Sequence, residues 1–419
     1  MQLQSEPAPP RVVVTLAAYP IRRPRHGGQL RTSAMVKAYE SAGFSVHSVA
    51  FFQAEVYGAA DIGPNDVAFP FDSPFRLYRG DYVPPLADFM MGPFSAEDEG
   101  AFGQVARGIV SDVQVIQIEQ PWLYPLARRL RSDVPHCRGA LLVFSSQNIE
   151  APMKRDMLLA RGLGPAADQA CADIDALERE AIRQSDLCLA VTAEDGAVLE
   201  RLGARKVLLA PNGISPWVAD TERMDLWRAR LPARPWPIFI ASAHPPNFTA
   251  FAAAAGDALA CIPPGSKLVV AGGVGPHLHE ELSKSRWRDL NLSRLLVLGV
   301  LDDEDLAAVK SLAHAFLLPI GAGGGSNIKT AEALYSGRPV VCTGTALRGF
   351  EEYRKLPEVI VADTPQAFQA AIRAVLGQAA RGKPDAGASA MRARLTWATC
   401  LSEVPREVSR MLTERRAGE

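Results

Sequence analysis

The segment Pro319–Val341 reads PIGAGGGSNIKTAEALYSGRPVV. An apolar strand end leads into a glycine-rich turn, a helical segment follows, and Pro-Val-Val begins another strand. Glycines let a backbone approach a ligand closely, and the amino end of a helix presents free N–H groups and a positive dipole end. The segment therefore predicts a strand–turn–helix–strand unit that binds phosphate oxygens, and a diphosphate fits it.

Lys329 and Glu332 are the charged side chains of this helix, and they are three residues apart, hence on one face. An ammonium there can meet phosphate while a carboxylate accepts hydrogen bonds from hydroxyls. Spacing alone also allows a solvated ion pair. A Walker loop is disfavoured because Ser326 to Ile328 stand between the last glycine and Lys329. The dinucleotide fingerprint fails too, because the first strand of the chain lacks it.

The same alternation of short apolar runs and helical segments extends through the chain. The predicted strands are Val12–Ala17, Val46–Phe52, Val113–Ile118, Leu141–Phe144, Leu187–Val191 and Val207–Leu209, then Ile238–Ala241, Leu268–Ala271, Leu295–Leu298, Ala315–Leu318, Pro339–Cys342 and Val359–Val361. Six strands in each half predict two doubly wound α/β domains. We place them at 1–214, completed by a C-terminal helix over 396–419, and at 215–395. Glu55–Gly100 does not follow the pattern and is interpreted as an insertion that shapes an acceptor site.

Composition excludes several classes of protein. With 419 residues, 48% hydrophobic and 22% charged, the chain is globular and long enough for two or three domains. Its 45 Lys+Arg and 46 Asp+Glu leave a net charge of -1, so no global field holds nucleic acid. Six scattered cysteines and a Pro-rich opening without a signal-peptide pattern indicate reduced thiols in a cytoplasm. No apolar run reaches the length of a spanning helix.

The stretch Glu332-Ala-Leu-Tyr-Ser-Gly-Arg-Pro-Val-Val341 resembles the hallmark of the retaining glycosyltransferases of the GT-B fold, family 4. Further similar pieces occur in order along the chain: His26-Gly-Gly28, Ala210-Pro-Asn-Gly213, Val270-Ala-Gly-Gly-Val-Gly275, Leu298-Gly-Val-Leu-Asp-Asp-Glu-Asp-Leu306 and Thr343-Gly-Thr-Ala-Leu-Arg-Gly349. The resemblance implies two Rossmann-like domains that face each other across a deep cleft.

It also implies transfer of a sugar from a nucleotide-sugar donor to an acceptor hydroxyl with retention, in assembly of a polysaccharide, glycolipid or glycoprotein. Glu332 would bind the ribose hydroxyls and Lys329 the diphosphate, and both are expected to be catalytic. The other residues expected at the donor are Gly27, Gly28, His244, Asn247, Gly272, Gly273, Gly323, Gly324, Gly325, Ser326, Asn327, Ile328 and Thr330. No side-chain nucleophile, metal ion or other cofactor is expected.

Two departures from the family pattern leave alternatives open. The position eight before Glu332 is Gly324 instead of a second acidic residue. The loop Ala241-Ser-Ala-His-Pro-Pro-Asn-Phe248 lacks the Arg and Lys that the family often places there. His244, Arg348 or helix termini must then meet the phosphate charge. A non-catalytic nucleotide-sugar-binding protein and a nucleotide-sugar epimerase are the alternatives to a transferase.

Polar residues at strand ends of the first domain predict acceptor recognition, although capping and turn formation explain such residues equally well. They are His26, Glu119, Gln120, Trp122, Gln147, Asn148 and Glu150. The acceptor is a sugar, a lipid-linked molecule or a protein, and by resemblance the chain is cytoplasmic or attached peripherally to the inner face of the membrane. By the same resemblance the C-terminal helix crosses back onto the first domain.

Two charged clusters look like metal sites but are interpreted otherwise. Asp302-Asp-Glu-Asp305 opens a predicted helix, where acidic residues cap the amides and complement the dipole. His277-Leu-His279-Glu280 lacks a converging Cys or Asp and is interpreted as the start of a surface helix.

Overall fold

The computed structural model describes residues 11–159, 161–162, 164–321, 325–378 and 386–418. The chain forms two compact units, one from residues up to 211 together with those from 400 onward, the other from residues 212–399. Each unit contains one large parallel sheet.

Within the described residues, nine strands and seven α-helices of the first unit precede residue 211. The strands are β1 (Arg11–Ala17), β2 (Phe44–Gln53), β3 (Val67–Phe69), β4 (Leu77–Tyr78), β5 (Asp81–Tyr82), β6 (Val113–Glu119), β7 (Leu141–Ser145), β8 (Leu187–Ala190) and β9 (Val207–Leu209). The helices are α1 (Gly27–Ser41), α2 (Ala87–Glu97), α3 (Glu99–Gly108), α4 (Tyr124–Asp133), α5 (Glu150–Leu159), α6 (Gly164–Gln184) and α7 (Ala193–Leu202).

Its main sheet has the strand order β3-β2-β1-β6-β7-β8-β9, and every pair is parallel. Runs such as VVVTLA in β1 are buried, as expected for strands that helices cover on both sides. The order reverses between β1 and β6. In such sheets the crevice at the carboxyl ends of the two strands at the reversal, the switch point, is where ligands bind.

The second unit repeats this plan. Its strands are β10 (Pro237–Ile240), β11 (Leu268–Ala271), β12 (Leu295–Gly299), β13 (Ala315–Leu318), β14 (Val340–Cys342) and β15 (Val359–Val361). Its helices are α8 (Thr221–Arg228), α9 (Pro245–Ala255), α10 (Val274–Lys284), α11 (Arg288–Arg294), α12 (Asp303–Leu312), α13 (Ile328–Ser336), α14 (Pro365–Leu376), α15 (Ala386–Ala393) and α16 (Trp397–Cys400), which ends at the boundary. The parallel order β12-β11-β10-β13-β14-β15 places its switch point between β10 and β13.

The last helix, α17 (Glu403–Gly418), belongs to the first unit. Leu401, Val404 and Val408 are fully buried and follow a helical spacing. Arg11 Nη1 donates to Ser409 Oγ at 2.8 Å and therefore ties α17 to the first strand.

The prediction of two Rossmann-like domains is confirmed, and the twelve predicted strands are present with ends within two residues of those expected. The predicted count of six strands for the first half was too low by three, because β3, β4 and β5 all lie within Glu55–Gly100. β3 adds a parallel edge strand to the first sheet. It lies outside the alternation of apolar runs and helical segments, so pairing with β2 makes this strand recognisable and its local sequence does not.

Candidate functional site

The second switch point brings together the loops after β10 and β13 and the amino ends of α9 and α13. The α13 helix begins at Ile328, and the carbonyl of Asn327 accepts hydrogen bonds from the amides of Thr330 and Ala331. In the part of the chain that the structure describes, the Asn327 side chain makes no capping hydrogen bond. The first amides of α13 are thus not capped by that residue, which leaves an anion-binding end.

Two side chains hold the end of the glycine-rich turn. Gly325 has φ 59° and is buried, and its carbonyl accepts a hydrogen bond from Arg348 Nε at 2.7 Å. The Ser326 carbonyl accepts one from Asn212 Nδ2 at 3.0 Å. These bonds anchor the turn just before α13. Gly323 and Gly324 lie outside the described residues.

Lys329 links α13 to α9 at the second switch point by a hydrogen bond. Its Nζ donates to Asn247 Oδ1 at 2.7 Å, and Asn247 Nδ2 donates to the carbonyl and hydroxyl oxygens of Ser242 at 3.1 and 3.2 Å. Burial lowers the pKa of Lys329 to about 8, an effect that the charge of Glu332 partly offsets. The lysine is therefore a desolvated cation that gains from the arrival of an anion.

Glu332 pairs with Lys310 of α12 rather than with Lys329 among the described residues. Lys310 Nζ donates to Glu332 Oε1 at 3.0 Å. The two side chains are 7% and 25% exposed respectively. Lys329 and Glu332 share one face of α13, but their charged groups bond to Asn247 and Lys310 and not to each other. This arrangement differs from the interpretation of the two residues as a solvated ion pair.

Other predicted donor residues have structural contacts of their own. The Thr330 hydroxyl is buried and donates to the Ala346 carbonyl at 2.7 Å, while Ile328 packs partly buried against the core. A Cβ at Gly272 (φ 93°) would lie 2.3 Å from the Ala241 carbonyl oxygen.

The loop after β11 therefore presses against the loop after β10, and glycine is required for that approach. A Cβ at Gly273 would lie 3.1 Å from the Ala243 amide nitrogen. His244 is exposed and precedes α9 without capping it.

The first switch point holds a buried polar network. Gln147 Nε2 donates to Tyr19 Oη at 2.7 Å and to Glu119 Oε2 at 3.1 Å, and Gln117 Nε2 donates to Glu119 Oε1 at 2.6 Å. Tyr39 Oη donates to Gln117 Oε1 at 2.7 Å. Tyr19 and Glu119 follow or end β1 and β6, so side chains of two neighbouring strands meet here.

Arg31 supplies the opposite charge to this network. The side chain is buried, and its Nη1 donates to the Ala210 carbonyl at 2.8 Å. Burial lowers the pKa of Arg31, whereas the carboxylate of Glu119 raises it. A buried carboxylate is therefore compensated by a buried guanidinium of α1.

Gly28 fits tightly beneath this network. A Cβ there would lie 2.6 Å from Tyr19 Oη and 2.9 Å from Gln147 Oε1. Gly27 is the first residue of α1, and His26 caps it, with Nδ1 accepting from the Gln29 amide at 3.5 Å. The His26 and Tyr19 rings pack edge-on, with their centroids 5.0 Å apart. Burial lowers the pKa of His26.

Gln120 has a strained backbone, with φ 68° and ψ 166°, a region that residues other than glycine rarely adopt. Its amide donates to the Ser145 carbonyl at 3.1 Å, and its Nε2 donates to Glu150 Oε1 at 3.0 Å. Burial raises the pKa of Glu150 to about 8. Its main-chain amide donates to Glu178 Oε1 at 2.9 Å, and burial raises the pKa of Glu178 to about 7.

The remaining predicted acceptor residues lie nearby. Trp122 is completely buried, and Lys154 Nζ lies 5.2 Å from its ring centroid, so it packs inside the unit. The carbonyl of Asn148 accepts from Ser146 Oγ at 2.9 Å. The structure thus brings His26, Glu119 and Gln147 around Tyr19, with Gln120 and Glu150 as a neighbouring pair.

Sequence reasoning missed several residues of these sites. Tyr19 is the second residue after β1, so its position at a strand end was a usable signal. Asn212 lies in the recognised piece Ala210-Pro-Asn-Gly213 but was not assigned to the site. Lys310 and Arg31 gave no signal, because each lies on a different element from the residue it contacts.

The two charged clusters lie on helices α12 and α10. Asp302 caps α12 through its side chain, which accepts from the Asp305 amide at 2.8 Å, so the capping interpretation is confirmed. His277 and His279 are exposed on α10. Within the described residues, no three His, Cys, Asp or Glu side chains converge as ligands for a metal ion.

The second unit matches a known family model. Residues 234–378 match the glycosyl transferases group 1, and this span includes the loop after β10, the glycine-rich turn and α13. None of the curated proteins matches the chain. The second unit is thus similar to the group 1 glycosyltransferases over most of its length.

Solved structures share the fold over nearly the whole chain. Sucrose-phosphate synthase from Thermosynechococcus elongatus is 16% identical, with a TM-score of 0.61 over 96% of this chain and 94% of that chain. HepE of Anabaena in complex with UDP is 12% identical, with a TM-score of 0.63 over 95% and 99%. A UDP-forming α,α-trehalose-phosphate synthase from Burkholderia xenovorans in complex with glucose-6-phosphate is 15% identical, with a TM-score of 0.62 over 96% and 100%.

The fold is GT-B. The family match and this fold together support a GT-B glycosyltransferase. Across the described residues, no helix combines the length and apolar character that crossing a bilayer requires.

Proposed function

We propose that this protein is a retaining glycosyltransferase of family 4, which moves a sugar from a nucleotide sugar to an acceptor hydroxyl without a metal ion. One observation carries the proposal: Lys329 and Glu332 stand on one face at the open amino end of α13, at the switch point of the group 1 domain. HepE, a structural neighbour, was solved in complex with UDP and with UDP-glucose, which supports a nucleotide-sugar donor.

The donor diphosphate binds at the amino end of α13. Main-chain amides of the turn Gly323 to Asn327 and the ammonium of Lys329 contact its oxygens, and Glu332 accepts hydrogen bonds from the ribose. Asn247 orients Lys329 from the first turn of α9. The segment from Ala241 to Phe248 contains no Arg or Lys, so most of the charge stabilisation comes from Lys329 and the helix dipole.

The reaction is accelerated electrostatically. Negative charge grows on the diphosphate as its bond to the sugar breaks, and donors that are already in place stabilise that charge. Burial holds the pKa of Lys329 at about 8 in the free protein. An incoming diphosphate favours the charged form, so Lys329 is fully protonated in the complex. The scheme needs no side-chain nucleophile.

The acceptor is recognised by the first switch point. Strain at Gln120 is retained there, and strain of about 1–3 kcal/mol persists mainly at functional positions. The partly exposed Gln120 and the exposed His26 then contact the acceptor. Buried Glu150 holds Gln120, and buried Glu119 and Gln147 hold Tyr19. The product belongs to a polysaccharide, glycolipid or glycoprotein, and the protein works in the cytoplasm or at the inner face of the membrane.

Incubation with UDP-, GDP-, ADP- and dTDP-sugars tests the proposal. We expect slow hydrolysis of one donor, and NMR of the first-formed sugar or of the transfer product should show the donor's anomeric configuration. An inverted product contradicts the retaining mechanism, and formation of an epimer instead indicates the epimerase.

A non-catalytic nucleotide-sugar-binding protein is the second candidate. The absence of Arg and Lys from the loop after β10 favours it, because a single lysine binds a diphosphate with less charge compensation during bond cleavage. Saturable binding of a donor without hydrolysis or transfer, over a panel of sugar and sugar-phosphate acceptors, would establish it.

A further inference from the structure

Glu332 is held by a lysine from a neighbouring helix. Lys310, in the last turn of α12, donates from Nζ to Glu332 Oε1 at 3.0 Å. Lys310 is 7% exposed and Glu332 25% exposed. An ion pair with so little access to water is screened weakly, so it fixes the direction of the carboxylate more firmly than a surface pair does.

The ammonium of Lys310 has a second contact. It lies 3.9 Å from the centroid of the Trp217 ring, and the Trp217 ring in turn packs at 5.1 Å against Tyr335 of α13. A cation over the face of an indole is attracted by the ring. Tyr335 is three residues after Glu332 on the same helix. Glu332, Lys310, Trp217 and Tyr335 therefore form a chain of contacts that begins and ends on α13.

A separate contact ties the same two helices. Arg338, just beyond α13, donates from Nη2 to the Ser311 carbonyl of α12 at 2.8 Å. The backbones that carry Lys310 and Glu332 are therefore linked next to the ion pair. Small shifts of either helix relative to the other are opposed, so the pair has a fixed geometry.

The two lysines near Glu332 have different partners. Lys329 donates to Asn247, and Lys310 donates to Glu332. Among the described residues, none other than Lys310 donates to the Glu332 carboxylate within hydrogen-bond distance. Oε2 is thus left to accept from a ligand, while Oε1 is occupied.

We propose that Lys310 is a positioning residue, which orients Glu332 so that its second oxygen accepts a hydrogen bond from a ribose hydroxyl of the donor nucleotide. This inference rests on the proposed function. Trp217 supports the role by holding the Lys310 ammonium from the other side. Discrimination between ribose and deoxyribose then depends on a residue that does not touch the nucleotide.

The ratio of affinities for a nucleoside diphosphate and its 2′-deoxy and 3′-deoxy analogues tests the proposal. The probe is whichever of UDP, GDP and ADP binds most tightly, measured by isothermal titration calorimetry. A carboxylate–hydroxyl hydrogen bond changes affinity by roughly ten- to hundredfold. We expect the wild-type chain to prefer the ribonucleotide over at least one deoxy analogue by about tenfold or more.

Lys310→Met should reduce that preference to within about threefold, mostly by weakening the ribonucleotide, whereas Lys310→Arg should retain part of it. Glu332→Gln should also lose the preference, and adding Lys310→Met to it should change the ratio little further, because coupled residues are not additive. Lys284→Met is the matched control, since Lys284 pairs with exposed Glu280 and Glu281 in the same unit, and it should leave both affinities unchanged.

The outcomes separate the two hypotheses. A wild-type chain that binds none of UDP, GDP, ADP and dTDP overturns the proposed function and this inference with it, and a chain that binds dTDP alone overturns this inference only. A wild-type preference that Glu332→Gln abolishes and Lys310→Met retains overturns the positioning role alone. If Lys310→Met weakens the binding of ribonucleotides and deoxynucleotides equally, the positioning role is also overturned. If that variant does not fold by thermal unfolding, Trp217→Leu replaces it and should reduce the preference in the same direction.

Discussion

The two switch points have the same place in the same kind of sheet but are made from different groups. In the first unit, buried side chains fill the strand ends: Glu119, Gln147 and Tyr19 form one network. In the second unit, the amino end of α13, the end of the preceding turn at Gly325 and two lysines occupy the corresponding place. One sheet architecture thus carries a packed polar core in one unit and, by our proposal, an anion-binding surface in the other.

The difference has an energetic consequence. Residues of the first switch point satisfy one another, so replacing them should change stability. By our proposal, Lys329 and the amino end of α13 at the second switch point bind an anion, so replacing such groups should change binding more than stability. Four substitutions test this contrast, taken from the largest expected effect to the smallest.

Glu150→Gln should change how stability depends on pH by on the order of a few kcal/mol, at about 1.4 kcal/mol per unit of pKa. Burial raises the Glu150 pKa from 4.5 to about 8, so the folded state binds this proton more tightly than the unfolded state. The stability that Glu150 contributes is present below about pH 4.5 and is lost as the pH rises through about 8. Glutamine removes that loss.

Denaturant unfolding from pH 5 to 8.5 measures the effect. The advantage of Glu150→Gln over the wild type should grow with pH. Glu194→Gln is the control, because Glu194 is an exposed residue in the first turn of α7. A constant difference between Glu150→Gln and the wild type would mean that Glu150 is ionised in the folded chain.

Lys329→Met should weaken nucleoside diphosphate binding by roughly ten- to hundredfold, the usual range for a charged hydrogen bond. The free protein should lose little stability, because the ammonium is already desolvated. Calorimetric titration and thermal unfolding on the same sample give both values. A large fall in melting temperature with unchanged affinity would reverse the contrast between the two sites.

Gly28→Ala should destabilise the chain by about 1–2 kcal/mol, because overpacking outweighs the gain in helix propensity. The new methyl group would meet Tyr19 Oη and Gln147 Oε1. Gly58→Ala is the control, since its Cβ would meet only Asp61 at 3.9 Å. Adding Tyr19→Phe should recover part of the loss; full additivity would show that the hydroxyl is not the obstacle.

The pH dependence of diphosphate binding should show the smallest effect. Between pH 7.5 and 8.5 the protonated fraction of a lysine with a pKa of about 8 falls roughly threefold, and affinity should fall with it. In Lys329→Arg the affinity should stay constant over this range, because guanidinium remains charged. An equal decline in both proteins would assign the titration to another group.

Local sequence was sufficient for much of the fold. The turn and helix around Lys329 and Glu332 could be predicted because glycine conformation, helical spacing and apolar strand runs act within a few residues of one another. The same reasons made twelve strands of the two main sheets recognisable, whereas β3 lies in the segment Glu55–Gly100, which does not follow the pattern. The strand ends that carry Glu119 and Gln147 could also be found in this way.

Contacts between residues on different elements could not be predicted in the same way. Among the described residues, Glu332 is paired with Lys310 and not with the lysine on its own helix. Gly28 is required by Tyr19 and Gln147, and the charge of Glu119 acts on the pKa of Arg31. Burial, which sets the pKa values of Lys329 and Glu150, also arises only when distant elements pack. Spacing along a chain records which residues share a face, whereas charge compensation and desolvation depend on what that face is packed against.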